Sequence, residues 1–359
     1  MNPMATDPQR RRLLQGVAAG LLAWPLRSLA GETALQLLSA YDVGRNEHRV
    51  GAAGRSTAAT LPQRGHHIAL LPGRPHECVV FARRPGSFIA RLNWQSGETL
   101  AWYDYPDDRH GFGHGIVLPG GVLATTDSNI DSGDGILTLR DALTLAPLRE
   151  LPSGGIGPHQ LLPLPDGRIL VANGGILTLP ESGRIKLNVH SMQPSLDIID
   201  LNVGRSVASF RLPDNKLSLR HLAAVADGHY AVALQYEGEG SAPLASRWHE
   251  RSGLRNLPLP PELAAACNGY AASVAATSTR IACTATKGDQ VVFWSGAGEF
   301  LGAVALSKPA GIAATPDQRH FIVSNELGDI VWIDSQQLQI VAARSQHFPV
   351  KWDNHLVLL

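Results

Sequence analysis

Charge, aromatic side chains and sulfur are all scarce in this chain. Asp, Glu, Lys and Arg make up 17% of its 359 residues and aromatics 6%, while 44% are hydrophobic. That balance excludes a disordered chain and leaves ample material for a large core. The three cysteines, Cys78, Cys267 and Cys283, make no Cys-x-x-Cys pair and no disulfide framework, and without Cys-x-x-Cys-His a covalent c-type haem is excluded. Cys78 and Cys283 fall within predicted second strands, where cysteine usually serves as a small buried hydrophobe; a Cys267–Cys283 disulfide stays open. No long apolar stripe of helical period follows residue 30. Catalytic signatures are missing too: there is no Gly-x-Ser-x-Gly elbow, no His-Glu-x-x-His and no phosphate-cradling glycine loop after a strand. The formal charge is zero, and taking away residues 1–30 removes Arg10, Arg11, Arg12, Arg27 and Asp7, which leaves about −3. Neither a nucleic-acid footprint nor a basic membrane-binding face is visible.

What is present begins at the amino terminus. Arg10-Arg11-Arg12-Leu13-Leu14-Gln15 precedes a Gly/Ala/Leu run over residues 16–23 and then Ser28-Leu29-Ala30, a small-x-small cleavage pattern. This resembles a twin-arginine export signal. The apolar run is too short to span a membrane. The expectation is a signal peptide over 1–30 and a periplasmic mature chain over 31–359 with no membrane span. Export in the folded state is compatible with a cofactor loaded beforehand.

The rest reads as a repeat. The stretch GPHQLLPLPDGRILVAN over residues 157–173 holds two short apolar runs around a Pro-Asp-Gly turn, the pattern of a β-hairpin. Similar hairpins begin at Gly65, Gly113, Arg220, Tyr270 and Ala310, and a seventh at Asn354 runs out as NHLVLL. Complete hairpins are followed by two more strand-like runs, such as 87–92 and 100–105, or 329–333 and 339–343. Four strands per unit and seven units predict an all-β, single-domain, seven-bladed β-propeller. Runs at 35–42, 48–53 and 57–61 would complete the seventh blade, closing the ring from both termini and removing its open edges.

Stacking the repeats puts His66, His114, His159, His221 and His355 at one equivalent position, the start of the innermost strand, near the axis. The matching ends of the second strands add Arg83, Asp127, Asn173, Gln235 with Glu237, and Asn325. Imidazole is a common ligand for iron, copper and zinc, and the amides and carboxylates could ligate or support the ligands. A metal or anion site at a channel mouth is one reading. The other is structural, since some propeller repeats carry a Gly-His pair whose histidine only braces its own blade. Against bracing, the fifth and sixth units have Tyr270-Ala271 and Ala310-Gly311 at that position. Glu237 near several histidines is a possible general base. The long insertion over 174–194 leaves from the same face, where long loops are often functional. A second insertion over 127–135 has alternating oxygens like a calcium loop, but its glycine is one place late and no Glu closes it, so a polar turn is expected.

GHG at Gly113, FARRPG at Phe81, SGGIGPHQLLPLPDGRILVANGGI with MQPSL at Met192, RHLA at Arg220, QYEG at Gln235 and WDNHL at Trp352 carry a wider likeness. With the twin-arginine start, these motifs resemble an uncharacterised family of twin-arginine-exported periplasmic propellers, over essentially the whole mature chain. The resemblance implies context and no activity: members tend to be encoded beside imelysin-type iron-regulated proteins and a di-haem oxidoreductase-like protein. The leading expectation is therefore a non-catalytic propeller that binds a transition metal or small metal complex in support of iron uptake. A scaffold for a periplasmic partner such as an imelysin-like protein is the alternative, and a lactonase- or dehydrogenase-like propeller enzyme the third.

Overall fold

A computed structural model describes residues 35–183 and 185–359. The expected signal over 1–30 lies outside the described residues. The hairpin read from residues 157–173 pairs Pro158–Pro163 with Ile169–Asn173, and the turn between them places Gly167 at a φ of 86° with its amide on the Leu164 carbonyl. That backbone suits glycine, which pays no Cβ penalty there. Two further strands, Ser195–Asp200 and Arg205–Phe210, complete a four-stranded antiparallel sheet. Burial falls outward across it: Ile169–Asn173 is buried throughout, whereas Arg205–Phe210 alternates between exposed and half-buried positions.

Seven such sheets follow one another, making a seven-bladed β-propeller. The first six blades have their inner strands at Gly65–Leu70, Arg109–Leu118, Pro158–Pro163, Leu217–Ala224, Ser273–Ala276 and Pro309–Ala314. The seventh joins both parts of the chain as expected. Leu37–Gly44, Glu47–Ala52 and Ala59–Leu61 form its outer three strands, and Lys351–Trp352 and Val357–Leu358 pair with the first of these on the inner side. Gln36–Leu359 clusters as one unit, and among the described residues no helix is long and apolar enough to cross a membrane.

The outer strand expected over 339–343 in the sixth blade does not form. Ile340 makes only an isolated bridge to Ile333, Ala342–Arg344 is a 3-10 turn, and the edge pairing moves to Gln346–His347. Here the chain must leave the sixth blade and return to the axis. Arg344 packs over Trp332 at 5.1 Å as it does so. The Cys267–Cys283 disulfide is also not formed: all three cysteines are free and buried, and burial pushes Cys78 up to about 12 and Cys267 to about 11.

Apolar wedges fill the spaces between blades. Leu170, Leu196, Leu219, Val232 and Trp248 join the third blade to the fourth, and Leu38, Val50, Val80, Leu92 and Trp94 join the seventh to the first. The seam between the sixth and seventh blades rests on Trp352. Its indole, 2% exposed, donates to the Gly328 carbonyl at 3.2 Å and meets the edges of Tyr41 and Phe348, while Lys351 pairs with Glu326 at 3.1 Å. Trp352→Ala is expected to lower stability by about 3–5 kcal/mol, read as a fall in the urea midpoint. Leu148→Ala, at a 62% exposed outer position, should stay within about 0.5 kcal/mol. Equal midpoints for the two variants would show that the seam is not held this way.

Candidate functional site

The inner strands are irregular where the histidines lie, as is the histidine-free one of the sixth blade between Pro309 and Ile312. Pairing with the second strand shifts register between Gly65 and Ile68, Gly111 and Gly115, Pro158 and Leu161, and Leu219 and Leu222. Each of these bulges contains a histidine: His66, His114, His159 and His221. A β-bulge leaves residues unpaired and re-aims their side chains. The freed backbone groups find partners elsewhere: the His159 carbonyl accepts from Thr126 Oγ1 at 2.9 Å, and the Leu222 amide donates to Gln160 Oε1 at 2.9 Å. Gly113 is required beside His114, because its φ is 87° and a Cβ there would lie 3.0 Å from His66 Cδ2.

The five histidines converge. Ring centroids lie 4.4 Å apart for His114 and His159, 4.6 Å for His66 and His355, and 4.8 Å for His159 and His221. None is more than 8% exposed. Two triads, His66–His114–His355 and His114–His159–His221, each bring their nitrogens within 4.8 Å of one another, and His114 belongs to both. Blades five and six contribute none for a steric reason. The carboxy-terminal segment crosses their side of the channel, where Asn354 Nδ2 donates to the Ala272 carbonyl at 3.2 Å and a Cβ on Gly311 would lie 3.0 Å from Leu356.

Hydrogen bonding assigns tautomers to His66, His114 and His355. His66 Nδ1 donates to Asp353 Oδ1 at 2.5 Å, so Nε2 carries the lone pair; a carboxylate behind an imidazole in this way orients it and raises its basicity as a ligand. His114 Nδ1 donates to the Phe112 carbonyl at 3.3 Å, and its Nε2 accepts from His355 Nε2 at 2.9 Å. A cation between those two nitrogens would require the His355 proton to shift to Nδ1. The Nδ1 atoms of His159 and His221 are buried with no hydrogen-bond partner among the described residues. His114 bonds a carbonyl of its own strand, whereas His66 bonds Asp353 from outside its blade, so bracing accounts poorly for the set.

The remaining expected residues divide. Arg83 and Gln235 line a cavity of about 260 Å³ with His66, His159 and His221. Glu237 is tied to Lys186, which the 174–194 loop carries to the same cavity. Asp127, Asn173 and Asn325 do not reach it. Asp127 accepts from Arg140 at 3.1 Å and Tyr105 at 2.5 Å, Asn173 bonds Ser153 and Asp197, and Asn325 bonds Asp329 and the Ser307 carbonyl. Ends of second strands thus knit blades and turns together, and of the expected residues there, those of the first and fourth blades reach the cavity. In the 127–135 insertion Asn129 Oδ1 accepts the amides of Asp131 and Ser132, a polar turn. Residues not expected from the repeat are Asp353, His67, Arg84, Lys186, Tyr270 and Asn354. His67 stands in the same bulge as His66, 5.0 Å from His355 and stacked on Phe81. Asp353 carries a signal, as the acid of the WDNHL motif, two residues before His355.

The chain belongs to the family described as protein of unknown function (DUF1513), which it matches over residues 59–359. No curated protein matches it. It is similar to solved structures of Kuenenia stuttgartiensis hydrazine synthase (13% identity, 84% of this chain and 90% of that one, TM-score 0.60). It is also similar to the computationally designed Ika8 protein (12%, 88% and 89%, 0.53) and to BamB from Moraxella catarrhalis (12%, 86% and 87%, 0.52). At these identities the likeness is one of fold.

Burial disfavours the charged imidazolium and holds His114, His159, His221 and His355 well below the ordinary histidine range, each also feeling its neighbours. His66 is lowered less freely, because Asp353 opposes burial, and His67 falls to about 3. At neutral pH the cluster therefore presents neutral rings. Below about pH 6.5 the unfolded chain protonates these histidines and the folded one does not, so each subtracts about 1.4 kcal/mol of stability per pH unit until its folded pKa is reached. Above that pH the effect vanishes. The metal-free protein should accordingly lose urea resistance steeply between pH 6.5 and 5, and His159→Gln with His221→Gln should flatten the decline. Parallel profiles for the two proteins would contradict this account.

Proposed function

Because the family to which this chain belongs has no assigned activity, we propose a function from the site itself: the propeller binds a first-row transition-metal ion, or a small complex of one, through its axial histidines, without catalysing a reaction. One observation carries the reading, the pair of buried imidazole triads that share His114. Neutral imidazole donors suit iron, copper and zinc and offer little to calcium or magnesium. Two features support it further: Asp353 orients His66 through Nδ1 and leaves the Nε2 lone pair forward, and the buried Nδ1 atoms of His159 and His221 have no hydrogen-bond partner among the described residues. Imidazoles bind copper more tightly than iron at equal availability, so the resident ion follows from what reaches the site. Periplasmic location by the twin-arginine route and service in iron uptake are part of the proposal, supported by the amino-terminal motif and by the family resemblance.

A second reading, a scaffold that docks a periplasmic partner of the imelysin-like kind on this face, is favoured by the 174–194 loop, where Ile185 is 64% and Leu187 42% exposed beside Lys186. A scaffold would keep its partner after chelation, whereas a metal carrier need not.

The proposal expects protein purified from its native compartment to hold stoichiometric metal by elemental analysis. Added Zn²⁺ at 100 times its Kd should stabilise the metal-free protein by about 2.7 kcal/mol. His114→Ala, which breaks both triads, should abolish retention, while His66→Ala or His221→Ala each removes one triad and tells which holds the ion. A native protein empty of metal, with a melting temperature indifferent to iron, copper and zinc, would end this reading.

A further inference from the structure

The wall facing the histidines carries a second message. The 260 Å³ cavity is lined by His66, His159 and His221 on one side and by Arg83, Arg84 and Lys186, with Gln235, Tyr270 and Asn354, on the other. Among these lining residues there is no carboxylate. Asp353 lies behind His66 with both oxygens engaged, Oδ1 by His66, and Oδ2 by Arg83 at 2.8 Å and Arg64 at 3.0 Å. Glu237 is held by Lys186. A metal ion seated on neutral imidazoles would therefore bring its charge into a pocket whose charged lining residues, Arg83, Arg84 and Lys186, are cations, while Asp353 and Glu237 are already paired. Unlike charges must be supplied from somewhere, and the protein does not supply them at this wall. A cleft lined by cations disfavours a bare ion and attracts an anion.

We propose that the metal is taken with a small oxyanion, which ligates it from the cavity side and rests on Arg83, Arg84 and Lys186. This rests on the metal reading above. Guanidinium forks match the paired oxygens of carboxylate, carbonate or phosphate, and the cavity, just below the roughly 300–1,000 Å³ of small-molecule sites, suits an anion smaller than a drug. The shared chemistry is an oxygen donor with net negative charge, and it has two sources. A polycarboxylate chelator would arrive with the metal as one anionic complex, whereas an inorganic oxyanion would join it at the site. Lys186 then has alternative partners, Glu237 or the anion, and the loop that carries it is tied down near its ends by Asn188, which accepts from the Leu177 amide at 2.7 Å and donates to the Gly175 carbonyl at 2.9 Å.

The experiment is equilibrium dialysis of Zn²⁺ against the full mature protein at fixed free Zn²⁺, in buffer stripped of carbonate and phosphate, and again with citrate, bicarbonate or phosphate added. Apparent affinity should rise tenfold or more with at least one anion. A gain with citrate alone identifies a chelate as cargo, and a gain with bicarbonate or phosphate identifies an inorganic partner. Lys186→Gln, an exposed change on the loop, gives the sign. With the anion present it should weaken Zn²⁺ retention about fivefold, and in anion-free buffer it should strengthen it, since a like charge has gone. Zn²⁺ held equally well in every buffer, with Lys186→Gln neutral or strengthening throughout, would overturn the oxyanion and leave the metal reading standing. No Zn²⁺ retained in any buffer would overturn both.

Discussion

The segment from Lys351 to Leu356 does more to organise this propeller than any strand of regular length. It leaves the sixth blade, pairs with Leu37–Gly44 at Trp352, and crosses the axis before pairing again at Val357–Leu358. Successive residues along it meet different parts of the ring. Trp352 packs the last seam, Asp353 binds Arg64, His66 and Arg83 of the first blade, and Asn354 reaches the Ala272 carbonyl ahead of the fifth blade's inner strand. His355 stands between His66 and His221, and Leu356 fits against Gly311. Closing a ring usually means pairing an edge. Here closure also builds the site, so the fold and the histidine cluster depend on the same six residues.

That dependence explains why the architecture was legible from the sequence and the site only in part. Hairpin periodicity is local: apolar runs around Leu164–Gly167, repeated every few dozen residues, suffice for the blades and even for the split seventh one. The convergence of the five histidines follows from the same equivalence. What equivalence cannot reveal is where it is broken. Second-strand ends such as Asp127, Asn173 and Asn325 occupy matching positions in the repeat, yet the residues opposite them differ. Arg140 with Tyr105, Ser153 with Asp197, and Asp329 draw those side chains into the spaces between blades or into turns. Asp353 and Asn354 lie outside any repeat. Lys186 belongs to an insertion with no counterpart in other blades. The edge strand of the sixth blade departs from the repeat for a kindred reason, because the chain there serves the crossing and not its own sheet.

The bulges show how the repeat was adapted. A regular inner strand would alternate its side chains between faces, and the two neighbours His66 and His67 would point to opposite sides. Both instead lie within reach of His355, at 4.6 and 5.0 Å between ring centroids. Irregular backbone near an axis is tolerated only when its polar groups are satisfied. Hydroxyls and amides do this here: Thr126 on the His159 carbonyl, Gln160 on the Leu222 amide, Ser39 on the His355 carbonyl at 2.7 Å, and Ser324 on the Gly311 amide at 3.1 Å. These partners are themselves buried or half-buried. The departures from strand geometry are thus supported positions, which is what distinguishes a built site from a packing fault.

A cluster of this kind sits poorly with a purely structural role. Several buried imidazoles held neutral lose their hydration, and two present a buried Nδ1 that has no partner among the described residues. Each such unpaired polar atom costs about 1–3 kcal/mol, which apolar side chains of similar size would avoid. Blades five and six do without: Ala271 and Ala310 stand at the equivalent positions, fully buried, and their blades are intact. Small apolar residues are therefore compatible with the start of an inner strand in this ring. The histidines are gathered on one side of the axis, around His114, with the crossing segment filling the other. Bracing asks only that each histidine serve its own blade. Convergence on a shared neighbour, with the carboxylate of Asp353 aligned behind one ring and a cationic cavity in front, is what the proposed metal reading requires and bracing does not.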